Sequence, residues 1–396
     1  MGVVVSHRCY VFTLTIFIGS LLVGCKSTTV VESKPVAFVS PLSIVKPLYP
    51  QPTNKVIAAK QLTQLTESQE RDFLTWFHHP ARQDIKPHLR VYDYLSSLTG
   101  NFEYRGDTYT AEEAYVALQG NCLSLALLTS ALAELVDIET EFQVVNTQPV
   151  YRKIDNVIIS SSHVVTILYD PTFVAKPNQI VIQRPRVIVD YFPVRSNIRG
   201  KSLSKKAFLA MYYRNLASDF LLKHQYPDAY WHARAAIDLA PESPENINTL
   251  ALIYAREGQK TQAVALYQLA VVQKLTSINL LNNYIELIRH SNPDKASMLN
   301  EYLEQLDDPN PYNWVLLGDS AMAEGRLRKA QRLYEKALSK AHYLSDVHAK
   351  LAGVQFEIGH YEEAGIALRN AKRYAWDDEE ERLYQAKLFA LKSLNY

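Results

Sequence analysis

The chain has 396 residues, 47% hydrophobic and 21% charged, the composition of a globular protein too long for one core, so two or three domains are expected. Its 42 lysines and arginines against 41 aspartates and glutamates leave a formal charge of +1. That balance lacks the basic field of a nucleic-acid binder and excludes nucleic acid as a partner.

At the N-terminus, His7 and Arg8 precede residues 10–23, which carry no charge. The run has the length of a signal-peptide apolar core and is short for a membrane span. It ends Leu22-Val23-Gly24-Cys25, which resembles the lipobox of bacterial lipoproteins. The resemblance implies a signal peptide over residues 1–24, lipid on Cys25 and a membrane anchor. Lys26 in place of aspartate implies the outer membrane, with the protein on its periplasmic face. Met1-Gly2 with Ser6 also fits a myristoylation pattern, and an uncleaved membrane helix is a third reading. Processing would discard Cys9 and cap Cys25, leaving Cys122 as the one thiol and no intramolecular disulfide. Residues 25–58, rich in Ser, Thr, Pro and Lys without helical period, read as a tether.

Residues 59–200 have an α+β pattern. Thr66-x-x-Gln69 and Thr110-x-x-Glu113 are capping boxes that open helices, and Gly120 ends the second. Asn121 then caps a helix whose residues 125–135 are apolar nearly all round, so this helix is expected to be central and buried. Cys122 falls at its first position, where unpaired N–H groups and the positive dipole end favour a thiolate. Strand-forming stretches follow at residues 142–145, 162–169 and 186–192, with His163 opening one and Asp190 late in another.

Cysteine, histidine and aspartate in that order match a nucleophile, its base and the base's orienter. Gly120-Asn121-Cys122-Leu123-Ser124, Ser162-His163-Val164-Val165 and Val189-Asp190-Tyr191 resemble the transglutaminase-like branch of the papain-like cysteine enzymes. The resemblance spans about residues 90–193 and implies Cys122 as nucleophile, His163 as base and Asp190 as orienter. Asp170 competes for the last role, but seven residues of strand from His163 make roughly 23 Å at about 3.3 Å each. No side chain stands out as an oxyanion donor; Gln119 is merely close in sequence. A cysteine heading an apolar helix and a histidine at a strand end are also ordinary core residues.

Arg105-Gly106-Asp107 reads as a polar turn. His78, His79 and His88 lack zinc-ligand spacing, and no glycine loop could cradle a phosphate, so neither metal nor cofactor is expected.

Residues 203–376 repeat. Ala229 and Ala263, Ala330 and Ala364, and Gly325 and Gly359 are each 34 apart, the tetratricopeptide period. Leu250, Gly258, Ala263, Tyr267 and Ala270 recur as Leu317, Gly325, Ala330, Tyr334 and Ala337, 67 positions on. A first repeat fits from about Ala210, and a degenerate third near residues 278–309 lacks the small residues of its neighbours. Residues 377–396 read as a capping helix. The fold class is therefore multidomain: an α+β papain/transglutaminase-like domain followed by an all-α tetratricopeptide solenoid. The expected function is thiol-dependent acyl transfer or amide hydrolysis at a membrane, with the repeats recruiting a protein or peptide. The alternative is a non-catalytic envelope scaffold with a vestigial enzyme domain.

Overall fold

The computed structural model describes residues 37–100, 103–104, 106–146, 152–154, 157–159, 163–176, 180–191 and 198–393. The signal peptide, Cys25 and Ser162 lie outside them. No helix among the described residues is long and apolar enough to cross a membrane.

Two helices, α1 (Glu67–Phe77) and α2 (Pro87–Thr99), come first, then the short strand β1 (Glu103–Tyr104), α3 (Ala111–Ala117) and β2 (Gln119–Gly120), which pairs with β1 in parallel. Both capping boxes form: Thr66 and Thr110 each accept the N–H three residues on, and Gln69 and Glu113 return the bond. Helix α4 (Cys122–Glu134) is buried from Cys122 to Ala133, as a helix without a polar face must be. Strands β3 (Thr140–Asn146), β4 (Arg152–Ile154), β5 (Val157–Ile159), β6 (His163–Tyr169), β7 (Arg186–Val189) and β8 (Ile198–Leu203) follow. Four of them form an antiparallel sheet ordered β7-β6-β3-β8, while β4 and β5 make a separate hairpin.

One side of α4 packs Leu123, Leu127 and Ala131 with Phe142 of β3 and Val164 of β6. The other packs Leu128 and Leu132 with Phe73, Val91 and Leu95 of α1 and α2 and with Leu168 and Val189 of the sheet. Apolar burial on both sides fixes the helix, and with it the position of its first residue.

Eleven helices follow among the described residues: α5 (Lys205–Leu222), α6 (Tyr226–Leu239), α7 (Pro244–Arg256), α8 (Lys260–Val272), α9 (Ile278–Ile288), α10 (Pro293–Gln305), α11 (Pro311–Ala323), α12 (Leu327–Lys340), α13 (Ser345–Glu357), α14 (Tyr361–Arg373) and α15 (Asp378–Ser393). They pair antiparallel from α5/α6 to α13/α14, with α15 against α14. Gly258, Gly325 and Gly359 take φ of +74°, +70° and +83° in the turns inside their pairs. The first pair uses His224 there, at φ +58°, which hides its turn from a search for glycine. The third pair does contain a small residue at the repeat position: Ala296, 5% exposed, lies 33 positions after Ala263 and 34 before Ala330. A one-residue slip in period conceals it.

Two features depart from a simple division into domains. Helix α5 adds Phe208, Met211 and Tyr212 to the core around α4, and Phe208 stacks on Phe142 with centroids 3.7 Å apart. The helical array thus begins inside the core of the α+β region. The segment read as a tether is also not free from residue 38 onward. Leu42, Val45, Leu48 and Tyr49 pack on the array. The Gln273 amide exchanges hydrogen bonds with the Val39 backbone, Gln262 accepts from Lys46 N–H and Tyr254 donates to Lys46 C=O. Asp228 accepts from the N–H groups of Thr53 and Asn54 at 2.8 and 2.7 Å. Regular helical period is no requirement for order when side chains on a neighbouring surface satisfy the backbone.

Candidate functional site

Cys122 is presented by the start of α4. Asn121 Oδ1 accepts from the N–H groups of Leu123 and Ser124, both at 3.0 Å, and its amide donates to Thr108 Oγ1 at 2.7 Å. Such a cap contributes about 1 kcal/mol and holds the first turn in place. Gly120 precedes it at φ +140°, where a Cβ would lie 2.9 Å from Ser124 Cβ and 3.1 Å from Tyr109 Cδ2. Glycine is required here both by the backbone angle and by the lack of space. Ser124 Oγ in turn accepts from Tyr109 N–H at 2.8 Å. The Gly-Asn preface is therefore a device for starting a helix against a crowded wall.

His163 is the first residue of β6, beside α4. The β6–β7 register pairs Thr166 with Val189 and Tyr169 with Arg186. The residue after β7 thereby comes alongside the start of β6, and Asp190 Oδ1 lies 3.0 Å from His163 Nε2. The Cys122 thiol hydrogen-bonds the same ring. Burial works against a charged imidazole, but the hydrogen bonds to Asp190 and Cys122 and the negative charge of both outweigh it, and the ring is pushed up to about 9. Cys122 and His163 are only 6% and 8% exposed, so these interactions act with little solvent screening. With Nε2 bonded to the carboxylate, Nδ1 is the ring nitrogen able to take a thiol proton.

Tyr191, which follows Asp190, was not singled out from sequence. Its hydroxyl bonds Thr129 Oγ1 of α4 and Thr166 Oγ1 of β6, both at 2.8 Å, tying the cysteine's helix to the histidine's strand. Burial pushes its phenol up, so it stays neutral. Nothing in a lone Tyr-Phe pair marks that role beforehand. Gln119 donates only a long 3.4 Å bond to Tyr109 Oη.

Asp170 sits at the opposite end of β6. It accepts from Lys86 Nζ at 2.7 Å and from the N–H and hydroxyl of Thr172. Against the effect of burial, these bonds hold its carboxyl down at about 2. His88 Nδ1 is 3.7 Å from Asp170, and His79 Nδ1 accepts from Ala81 N–H. Among the described residues, no three His, Cys, Asp or Glu side chains converge as metal ligands.

In the array, Trp314 and the tyrosines 254, 267, 284 and 334 are buried as repeat core. A polar row that sequence reasoning passed over runs between first helices: Asn248 Oδ1 of α7 accepts from Asn283 Nδ2 of α9 at 3.0 Å and from Tyr267 of α8 at 3.2 Å.

Residues 311–339, which make up α11 and α12, match the sequence profile of the tetratricopeptide repeat. The helical array is a tetratricopeptide-like solenoid. Solved structures similar to the chain include YrrB, a tetratricopeptide-repeat protein, with 16% identity, 45% of this chain and 92% of that one covered, and a TM-score of 0.28. Pseudomonas aeruginosa pilF shares 18% identity over 48% of this chain and 88% of its own, with a TM-score of 0.32. A thermophilic tetratricopeptide-repeat protein of Thermus thermophilus, TTC0263, shares 18% identity over 46% of this chain and 99% of its own, with a TM-score of 0.29. No curated protein matches the chain. Repeat arrays of this kind offer extended surfaces that hold protein or peptide partners.

Proposed function

We propose that this chain is a thiol-dependent acyl-transfer or amide-hydrolysis enzyme of the transglutaminase-like kind, lipid-anchored through Cys25 at the periplasmic face of the bacterial outer membrane. Residues 59–200 carry the chemistry and the repeats from 203 onward recruit the protein or peptide acted upon. The observation that supports this reading best is His163 held between Asp190 and the Cys122 thiol. Asp190 accepts a hydrogen bond from Nε2–H and fixes the tautomer; Nδ1 takes the proton of Cys122. The sulfur then attacks a carbonyl carbon, the carbon–nitrogen bond breaks, and the imidazolium returns its proton to the departing amine. Water or a second amine resolves the thioester, and His163 takes and returns one proton again. As first helical residue, Cys122 has an N–H with no acceptor inside α4, suited to the developing oxyanion.

The burial of Cys122 favours a second reading, a scaffold whose enzyme domain is vestigial. An activated ester separates the two. Incubation with p-nitrophenyl acetate should leave an acetyl group on Cys122, found by peptide mass, and His163→Ala should abolish it. Absence of the adduct in the unaltered protein would favour the scaffold. Labelled fatty acid fed to a bacterial host should label the protein, and Cys25→Ser should remove the label; unlabelled, soluble protein would end the anchor reading.

A further inference from the structure

We infer, on the thiol-enzyme reading given above, that Tyr191 is the positioning residue of the site: its hydroxyl holds Cys122, His163 and Asp190 at their working separations. The sheet alone does not hold Asp190. The β6–β7 ladder ends at the pair Thr166–Val189, one residue short of it. The next anchor along the chain is the Tyr191 hydroxyl, bonded to Thr129 and to Thr166, both at 2.8 Å. Thr129 stands seven residues after Cys122, two turns along the same face of α4. Thr166 stands three residues after His163 on β6. One phenol oxygen thus fastens the helix with the thiol, the strand with the ring and the segment with the carboxylate. The charges of Cys122 and Asp190 both act on the phenol, which places it beside those groups.

Proton counting gives the bonds a direction. The Thr129 hydroxyl donates to Leu125 C=O at 2.8 Å, so toward Tyr191 it can only accept. The single phenol proton goes to Thr129, and the Thr166 hydroxyl must then donate to the phenol oxygen. The bonds run from Thr166 through Tyr191 and Thr129 to the backbone of α4. Thr129 and Thr166 are both 0% exposed, so bulk water cannot replace a missing link. Apolar contacts around Leu128, Leu168 and Val189 would let helix and strand slide, whereas directed buried bonds select one arrangement.

The pH profile of Cys122 alkylation in the full chain tests this. In Tyr191→Phe its rise should move up by about one pH unit, a loss of about tenfold in thiolate near neutrality. Thr129→Val cuts the same chain of hydroxyls at the helix and should move the profile alike, with no further shift in the double variant. Thr129→Ser keeps the hydroxyl and should leave the profile unaltered. Phe73→Leu, in the same core but outside the hydroxyl chain, should lower the melting temperature without moving the profile. If Tyr191→Phe does not fold, Thr129→Val and Thr129→Ser decide by the same criterion. Tyr191→Phe and Thr129→Val profiles that superimpose on an unaltered chain with a neutral plateau would overturn the positioning role alone. A shift in Phe73→Leu as large as in Tyr191→Phe would also overturn it, since any loss of packing would then suffice. An unaltered chain that reacts only in alkali would end both this role and the thiol-enzyme reading.

Discussion

Asp190 Oδ1 and His163 Nε2 are 3.0 Å apart although the residues stand 27 positions from each other in the chain. Antiparallel pairing of β6 with β7 produces the meeting, because the end of one strand lies beside the start of the other. Asp170, much nearer in sequence, is carried by the extended strand to the far end, where it bonds Lys86 and Thr172. Asp190→Ala is therefore expected to slow alkylation of Cys122 near neutral pH by about tenfold, the effect of roughly one pKa unit on the ring. Asp170→Ala should leave alkylation unchanged and instead lower stability by about 2 kcal/mol through lost charged hydrogen bonds. Iodoacetamide kinetics and thermal melts on both variants separate the two roles, and the reverse pattern would refute this assignment.

A pH dependence of stability follows from His163. Its folded-state value of about 9 exceeds the unfolded value of about 6.5. The share of that rise due to Asp190 makes the folded protein bind an extra proton between them, whereas the share due to the Cys122 charge only moves the thiol's proton to the ring. The contribution is complete below about pH 6.5 and is lost as pH rises through about 9, amounting at most to about 3 kcal/mol. Urea midpoints should fall across that window, and His163→Gln should flatten the fall. A stability that rises with pH there would contradict the charged-ring assignment.

Gly318 has no room for a side chain. A Cβ there would lie 2.5 Å from Tyr334 Cε1 and 2.7 Å from its Cδ1. Tyr334 cannot easily swing away, since its hydroxyl bonds Asp319, which also pairs with Lys350. Gly318→Ala should cost about 1–3 kcal/mol by overpacking. Gly353, inside α13 with nothing within 4 Å of its Cβ position, is the matched control and should gain about 0.5–1 kcal/mol when made alanine.

The N-terminal strap depends on one buried carboxylate. Asp228, 2% exposed, accepts the N–H groups of Thr53 and Asn54 and the Asn54 amide. Asp228→Ala should release residues near 50–55, so that limited proteolysis cuts there before it cuts the helices. Equal resistance in the variant would show that the apolar contacts of Leu48 and Tyr49 suffice.

What could be read in the sequence was whatever has a local cause. The capping boxes at Thr66 and Thr110, the Asn121 cap and the helix-pair glycines are set by neighbours within a few residues, and each forms as expected. The apolar circumference of α4 announced its burial for the same reason. The docking of α5 through Phe208, the strap on Asp228 and the bridge made by Tyr191 depend on partners 25 to 175 positions away. No periodicity records such pairs. The geometry of Cys122, His163 and Asp190 lay between these cases: residue types and order were legible, while register alone decided which aspartate met the ring.

Alkylation of Cys122 followed against pH, in the unaltered chain and in His163→Ala, tests the thiol-enzyme reading most directly. If the ring holds the thiol's proton, the rate is already near its plateau at about pH 7, and in His163→Ala it is lower there and climbs through about pH 9. Two superimposable profiles, both rising only in alkali, would contradict it and leave Cys122 a core residue of a scaffold.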